Sequence, residues 1–150
     1  MEVEDVHSLC STNSLAYILG MSMMICLTLL FYYKIYSHHL MTLNSPWYEY
    51  VRNSSKIYEG RRFSPKYNVG DTITFSHHID KTRPTFNKCI VGIYRFETFE
   101  DALNCSQTHG CLNEVLPGVN TVHEGVEIYK RYVSLPTQYR DGVMLIKLAS

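Results

Sequence analysis

The stretch KIYEGRRFSPKYNVGDTITF, Lys56 to Phe75, decides how this chain is read. Ile57 to Phe63 is rich in residues that suit a pleated, half-buried surface, which predicts a strand. Pro65 and Asn68 mark a turn after it. Gly70-Asp71 then opens a second strand, Thr72-Ile73-Thr74-Phe75, in which polar and apolar side chains alternate. A two-residue period sends alternate side chains to opposite faces of a sheet, so one face meets a core.

Upstream, Trp47, Tyr50 and Val51 fall at helical spacing within Pro46 to Asn53, and Met41-Thr42-Leu43 is a short strand. Ser37 to Leu40 is expected to be a joint. Downstream, Asp80 to Pro84 is a polar loop, and Phe86 to Phe96 is a long strand rich in Ile, Val, Tyr and Phe. Thr98 is placed to cap a helix from Phe99 to Cys105, with Glu100 and Asp101 in its positively poled first turn. Leu116-Pro117-Gly118 is a turn. Thr121-Val122-His123-Glu124 matches a capping box, and Val126, Ile128, Tyr129 and Tyr132 follow on a mostly helical period. Asp141-Gly142 leads into the apolar run Val143 to Leu148, which suits a central strand. The predicted order is strand, helix, three strands, two helices, strand. The fold class is α+β, mainly β, with helices packed at the ends of the sheet.

A different physics governs the N-terminus. No Asp, Glu, Lys or Arg occurs between Asp5 and Lys34, and Leu15 to Tyr33 reads LAYILGMSMMICLTLLFYY. At about 1.5 Å per residue such a run covers the hydrocarbon core of a bilayer, roughly 30 Å thick. A secretory signal would need a basic start, a shorter apolar stretch and small residues at a cleavage site. Here Glu2, Glu4 and Asp5 precede the run, and Tyr32, Tyr33, Lys34 and Ile35 end it. The expected organisation is an acidic leader over 1–13, one transmembrane helix over 14–36 and a domain over 38–150. Lys34, His38, His39, Arg52 and Lys56 follow the run, so the positive-inside rule puts the C-terminal domain in the cytosol.

Net charge is zero over 150 residues. After His38 there are 13 Lys or Arg against 11 Asp or Glu, too small a surplus to imply an anionic partner without clustering. Cys89, Cys105 and Cys111 are an odd set and do not suggest a disulfide framework. Cys105 and Cys111 with His109 lack the spacing and the fourth ligand of a structural zinc site, so no metal and no cofactor are expected. His77 and His78 are adjacent on a strand end and point to opposite faces, so at most one of them faces a ligand. Gly-rich phosphate loops, Gly-x-Ser-x-Gly and His-Glu-x-x-His do not occur.

Several of these segments, in this order, resemble the ASCH domain, a member of the PUA-like β-barrel group. Pro46-Trp47-Tyr48-Glu49-Tyr50-Val51 is similar to the helix that leads into the family's motif. Lys56-Ile57-Tyr58-Glu59-Gly60-Arg61 resembles its signature, Lys-x-x-Glu-Gly-Arg. Val69 to Phe75, Phe96 to Leu103, Leu116 to Gly118, Gly125 to Tyr129 and Gly142-Val143 continue the likeness, which spans about residues 39–150. Asn53-Ser54-Ser55 stands where Gly commonly precedes the Lys, and Ile57 replaces a frequent Thr. The resemblance implies a small PUA-like β-barrel with flanking helices. It also implies RNA or a modified nucleoside as ligand, in a cleft beside the signature.

The residues themselves fit such a cleft. Lys56 offers a mobile point charge and Arg61 a planar fork suited to phosphate or a base edge. Glu59 accepts from an exocyclic amine or fixes Arg61, its same-face neighbour. Arg62, Lys66 and Arg52 would extend the basic surface along a backbone. Tyr58, Tyr67 and Trp47 offer stacking faces, and are equally suited to a core. Bacterial ASCH enzymes that look like acetylcytidine amidohydrolases carry a hydroxyl where Glu59 lies and use a later Glu. Glu97, Glu100 and Glu114 are present here, but no motif ties one of them to the cleft. Three functions stay open: a tethered binder of RNA or a nucleoside, a nucleic-acid or nucleoside hydrolase, and a protein-interaction scaffold at a membrane with partners unknown.

Overall fold

The computed structural model describes residues 17–29, 37–105 and 112–150. The chain divides into two units, 1–36 and 37–150. In the first, residues 17–29 form helix α1 and are all exposed. Thr28 Oγ1 donates to the carbonyls of Met24 and Ile25, at 3.0 and 2.9 Å. No described helix is long and apolar enough to cross a membrane. The leader 1–13 and residues 14–16 and 30–36 of the expected span lie outside the described residues.

The second unit is built on one mixed five-stranded sheet in the order β1-β3-β4-β5-β2. Edge strand β1 (His38–Leu43) runs parallel to β3 (Thr72–His77). Strand β4 (Phe86–Phe96) pairs antiparallel with β3 through its first half, Phe86 to Cys89. Its second half, from Ile90 to Phe96, pairs with β5 (Val143–Leu148), and the register breaks between Ile90 and Gly92. That bulge bends β4, because an extra residue on one strand locally raises twist and curvature. The opposite edge is β2 (Tyr58–Arg62), antiparallel to β5. The sheet therefore curls into a half-barrel whose terminal strands, β1 and β2, do not pair with each other.

Two cores follow from the two faces of β5. Met144, Ile146 and Leu148 fill the concave side with Met41, Leu43, Ile73 and Phe75. Val143 and Leu145 join the other core with Tyr58, Phe99, Leu103 and Leu116. A strand covered on both faces needs an apolar side chain at almost every position, which is why VMLIKL is nearly continuous. Helix α2 (Trp47–Arg52) buries Tyr48 and Val51 in the concave core. Helices α3 (Phe99–Asn104), α4 (Leu112–Val115) and α5 (Val122–Lys130) cover the other face. Both expected caps are present. Thr98 Oγ1 accepts from the Asp101 N–H while the Asp101 carboxylate accepts from Thr98, and Thr121 and Glu124 do the same.

The structure differs from the expectation in two places. Ser37 to Leu40 is no joint: from His38 it is β1, paired with β3 as far as Leu43. A local pattern does not reveal it, because Leu40 is 79% exposed and the segment is held by distant groups. The Asp71 carboxylate accepts from Ser37 N at 2.8 Å and lies 2.8 Å from His39 Nε2. The second difference is in the helices: among the described residues four follow α1 and α2, where two were expected. Besides α4, helix α6 (Leu135–Asp141) precedes β5. It is anchored by buried Gln138, whose Oε1 accepts from Phe99 N and whose Nε2 donates to Val133 O, each at 2.9 Å. Gly142 ends α6 at φ 78°, a left-handed conformation open to glycine at little cost.

Candidate ligand cavity beside β2

Where the half-barrel stays open, a cavity of about 470 Å³ lies between the end of β1 and strand β2. Its polar wall comes from Asn44 and from Glu59 to Arg62; its apolar wall includes Trp47, Leu116, Ile128 and Tyr132. Cavities of this size and mixed lining take small organic ligands.

Glu59 is the electrostatic centre. On a strand it shares a face with Arg61, and the Arg61 Nε lies 2.9 Å from Glu59 Oε1. Lys56 Nζ lies 3.5 Å from Glu59 Oε2 and donates to the Val115 carbonyl. One carboxylate therefore faces two cations, which leaves one positive charge uncompensated. The cations differ in access: the Arg61 side chain is 37% exposed and that of Lys56 only 2%. Lys56 is thus not the mobile point charge expected from the sequence. Burial lowers its pKa, and the Glu59 charge restores part of that loss. Its ammonium also lies 5.6 Å from the centre of the Trp47 ring. Arg61 reaches across the gap, with Nη2 3.5 Å from the Thr42 carbonyl on β1.

Two buried polar atoms among the cavity's residues have no well-aligned hydrogen-bond partner, Asn44 Oδ1 and Arg61 Nε, and the Tyr129 hydroxyl meets only the Gly60 backbone, off the ideal line. The Arg61 Nε contact with Glu59 is close but not aligned as a hydrogen bond. Leaving a buried polar group unpaired costs about 1–3 kcal/mol, so poorly satisfied groups gathered in one cavity mark a place where added partners would be favourable. Tyr129 is locked in place by α5. Its ring stacks on Phe99 at 3.8 Å between centres and 6° between planes. Burial first, and Glu59 second, push its phenol well above the usual tyrosine pKa, so it is a neutral donor or acceptor at physiological pH. Gly60 makes this possible, because any side chain there would enter the Tyr129 ring.

Of the residues singled out in the sequence, Lys56, Glu59, Arg61 and Arg62 line the cavity, and Trp47 does too. Lys66 does not: its ammonium lies 4.9 Å from the centre of the Tyr67 ring. Arg52 is exposed on the last turn of α2 and is also outside. Tyr58 is 1% exposed and belongs to the helix-covered core, so it offers no stacking face. Tyr67 packs on the concave core beside His39. The adjacent histidines separate as their alternation requires: His78 is exposed at the cavity, whereas His77 is buried against Tyr48. Asn44, Tyr129 and Tyr132 were not foreseen at the site. A glycine inside a strand, Gly60, was the available signal, since it often marks close approach of another group.

Residues Glu97, Glu100 and Glu114 do not line the cavity. No group of three or more His, Cys, Asp or Glu able to hold a metal occurs among the described residues. His109 and Cys111 lie outside them.

No family model matches this chain, and no curated protein does. Solved structures do. The hypothetical protein PH0355 is 25% identical, with a TM-score of 0.62 over 74% of this chain and 96% of that one. The protein PF0455 from Pyrococcus furiosus is 24% identical, with a TM-score of 0.55 over 75% of this chain and 94% of that one. The ASCH protein from Zymomonas mobilis is 12% identical, with a TM-score of 0.51 over 74% of this chain and 66% of that one. The half-barrel and its flanking helices thus have the fold of an ASCH domain, of the PUA-like kind.

Proposed function

We propose that the domain binds RNA, or a modified nucleoside, with a base seated in the cavity beside Lys56, Glu59 and Arg61. The observation that carries this reading is the set of poorly satisfied buried atoms, Asn44 Oδ1, Arg61 Nε and Tyr129 Oη, in a cavity of about 470 Å³. A base edge presents donors and acceptors in one plane, and such a ligand pairs groups that are otherwise poorly satisfied. Tyr132 supplies an aromatic surface at the mouth. Tyr58 and Trp47 do not fill the cavity, which favours a ligand over a scaffold that has lost its own. The likeness to an ASCH protein agrees with this reading.

The test is filter binding of the full chain to short single-stranded RNA of mixed sequence. Arg61→Met removes a charge-assisted contact and Tyr129→Phe removes one hydroxyl while keeping the stack on Phe99. Each is expected to weaken binding about 10-fold, the equivalent of about 1.4 kcal/mol, measured below the thermal melt of each variant, since Arg61→Met also takes a cation from buried Glu59. RNA affinity unchanged in both variants would refute the reading. Turnover of the RNA or a nucleoside that stops with Glu59→Gln would show the site to be that of a hydrolase.

The apolar run supports a second element of the proposal: residues 14–36 anchor the chain, with the domain on the cytosolic side. After carbonate extraction the full chain is expected to stay with the membrane pellet. In intact cells the domain should be protected from added protease. Release by carbonate would refute the anchor, and cleavage outside would refute the orientation.

A further inference from the structure

We propose that the ligand carries a phosphate, held in a second cavity beside Lys130 and Arg131 at the end of α5. The inference rests on the base pocket proposed above and extends it. The second cavity, of about 460 Å³, adjoins the first: Arg62, Tyr132 and Val133 line both. The remainder of its lining is Lys130, Arg131, Ser134 and Thr137, with no carboxylate.

Charge is not balanced there. Lys130 Nζ pairs with Glu127 Oε1 at 2.6 Å. Arg62 Nη1 lies 3.6 Å from Asp141 Oδ2, but that carboxylate already accepts two bonds from Arg140, at 2.9 and 3.0 Å. Arg131 has no carboxylate within 4 Å among the described residues, and the acid that acts on it, Glu127, is already paired with Lys130. Ser134 Oγ and Thr137 Oγ1 lie 2.9 Å apart at the same wall. Two guanidinium forks, one ammonium and two hydroxyls around an acid-free hollow form a donor set for a tetrahedral anion. Tyr132 stands between the two cavities and is 63% exposed, so its ring is free to stack. An aromatic with a base-sized hollow on one side and a basic hollow on the other repeats the order of a nucleotide. A free nucleoside would leave the basic half empty. Both a nucleoside monophosphate and an RNA chain supply the required group.

The experiment uses the full chain and a fluorescein-labelled mixed-sequence RNA hexamer, followed by anisotropy. Competitors are the four nucleosides, their 3′- and 5′-monophosphates, and dinucleoside phosphodiesters. Monophosphates or diesters are expected to displace the hexamer at concentrations about 10-fold lower than the nucleosides do. Better competition by the diesters than by either monophosphate assigns the site to a chain, and the reverse order assigns it to a free nucleotide. In the Lys130→Ala/Arg131→Ala variant that advantage should vanish while competition by nucleosides is unchanged, and the salt dependence of hexamer binding should flatten. Equal displacement by nucleosides and phosphates, with the hexamer still bound, overturns the phosphate site and leaves the base pocket standing. A phosphate advantage that survives in the double variant overturns its location. A double variant that loses only binding to phosphatidylserine vesicles assigns the basic hollow to lipid and overturns the inference. A hexamer that does not bind at all overturns both proposals.

Discussion

Replacing Gly60 by alanine tests whether the cavity floor is built as described. An alanine Cβ would collide with the Tyr129 hydroxyl and lie 2.5 Å from Cζ and 2.7 Å from Cε1. Carbon atoms in contact rest at about 3.5–4.0 Å, so roughly 1 Å must be found. Neither side can easily yield it. The Tyr129 ring is stacked on fully buried Phe99. Gly60 pairs with Leu145 on β5, a strand filled on both faces. Overpacking of this kind costs about 1–3 kcal/mol, and the lack of slack puts Gly60→Ala near the upper end. For a domain of this size that is a fall in Tm of roughly 10–15 °C. Urea titration and thermal melts of the full chain, followed by circular dichroism, read the cost directly. A double-mutant cycle then identifies its origin. Tyr129→Phe leaves Cζ and Cε1 in the way and should give little relief, whereas Tyr129→Leu removes the ring and should make the alanine nearly free. A Gly60→Ala protein that melts within about 2 °C of the original, or whose cost persists in the Tyr129→Leu background, would refute the packing.

Two further predictions concern buried charge. Lys56→Met keeps the apolar stem but strips the Val115 carbonyl of its donor and Glu59 of one cation, so a loss of about 2–3 kcal/mol is expected in urea. Adding Glu59→Gln should recover part of it, and a Lys56→Met protein at least as stable as the original would contradict the geometry. Burial alone would raise the Asp71 pKa, but hydrogen bonds from His39 and from the N–H groups of Ser37 and Asn68 outweigh it and hold the carboxyl below its usual value. With the folded pKa below the unfolded one of about 3.9, this stabilisation is present above that value and is lost as pH falls through the folded pKa. Asp71→Asn should therefore lower stability at neutral pH and flatten its acid dependence. Parallel stability–pH curves for the two proteins would sink this account.

Residues whose structure depends on near neighbours were legible in the sequence. The bounds Phe86 to Phe96 follow from strand propensity, and Thr98 and Thr121 cap helices because each has an acid three residues on. The first half of strand β1, before Met41, and helix α6 were not legible, for one shared reason. Each is fixed by a polar side chain whose partners are remote in sequence: Asp71 for the start of β1, and Gln138, which bonds Phe99, for α6. The site divides the same way. Glu59 and Arg61 meet because a strand places alternate residues on one face, whereas Asn44 and Tyr129 arrive from other elements. The burial of Lys56 was hidden too, since its acceptor is the backbone of Val115.

The position of the cavity follows from the order of the sheet. A row of five strands has two edges, and unpaired edges of N–H and C=O groups invite another chain. Direct pairing of β1 with β2 would bring them to about 4.8 Å and leave no room between them. Instead the gap is spanned by a side chain, Arg61, which is held by Glu59 on its own strand and touches Thr42 on the other. The width of the opening is therefore set by an arginine rather than by a ladder of backbone bonds. Lys56 holds Glu59 from beneath, and Tyr129 closes the floor over Gly60. The Lys-x-x-Glu-Gly-Arg words thus have separate tasks: the lysine fixes the acid, the acid fixes the arginine, and the glycine admits the tyrosine. Of these groups, the arginine and the tyrosine are the ones whose polar atoms are least well satisfied within the domain, and both line the cavity.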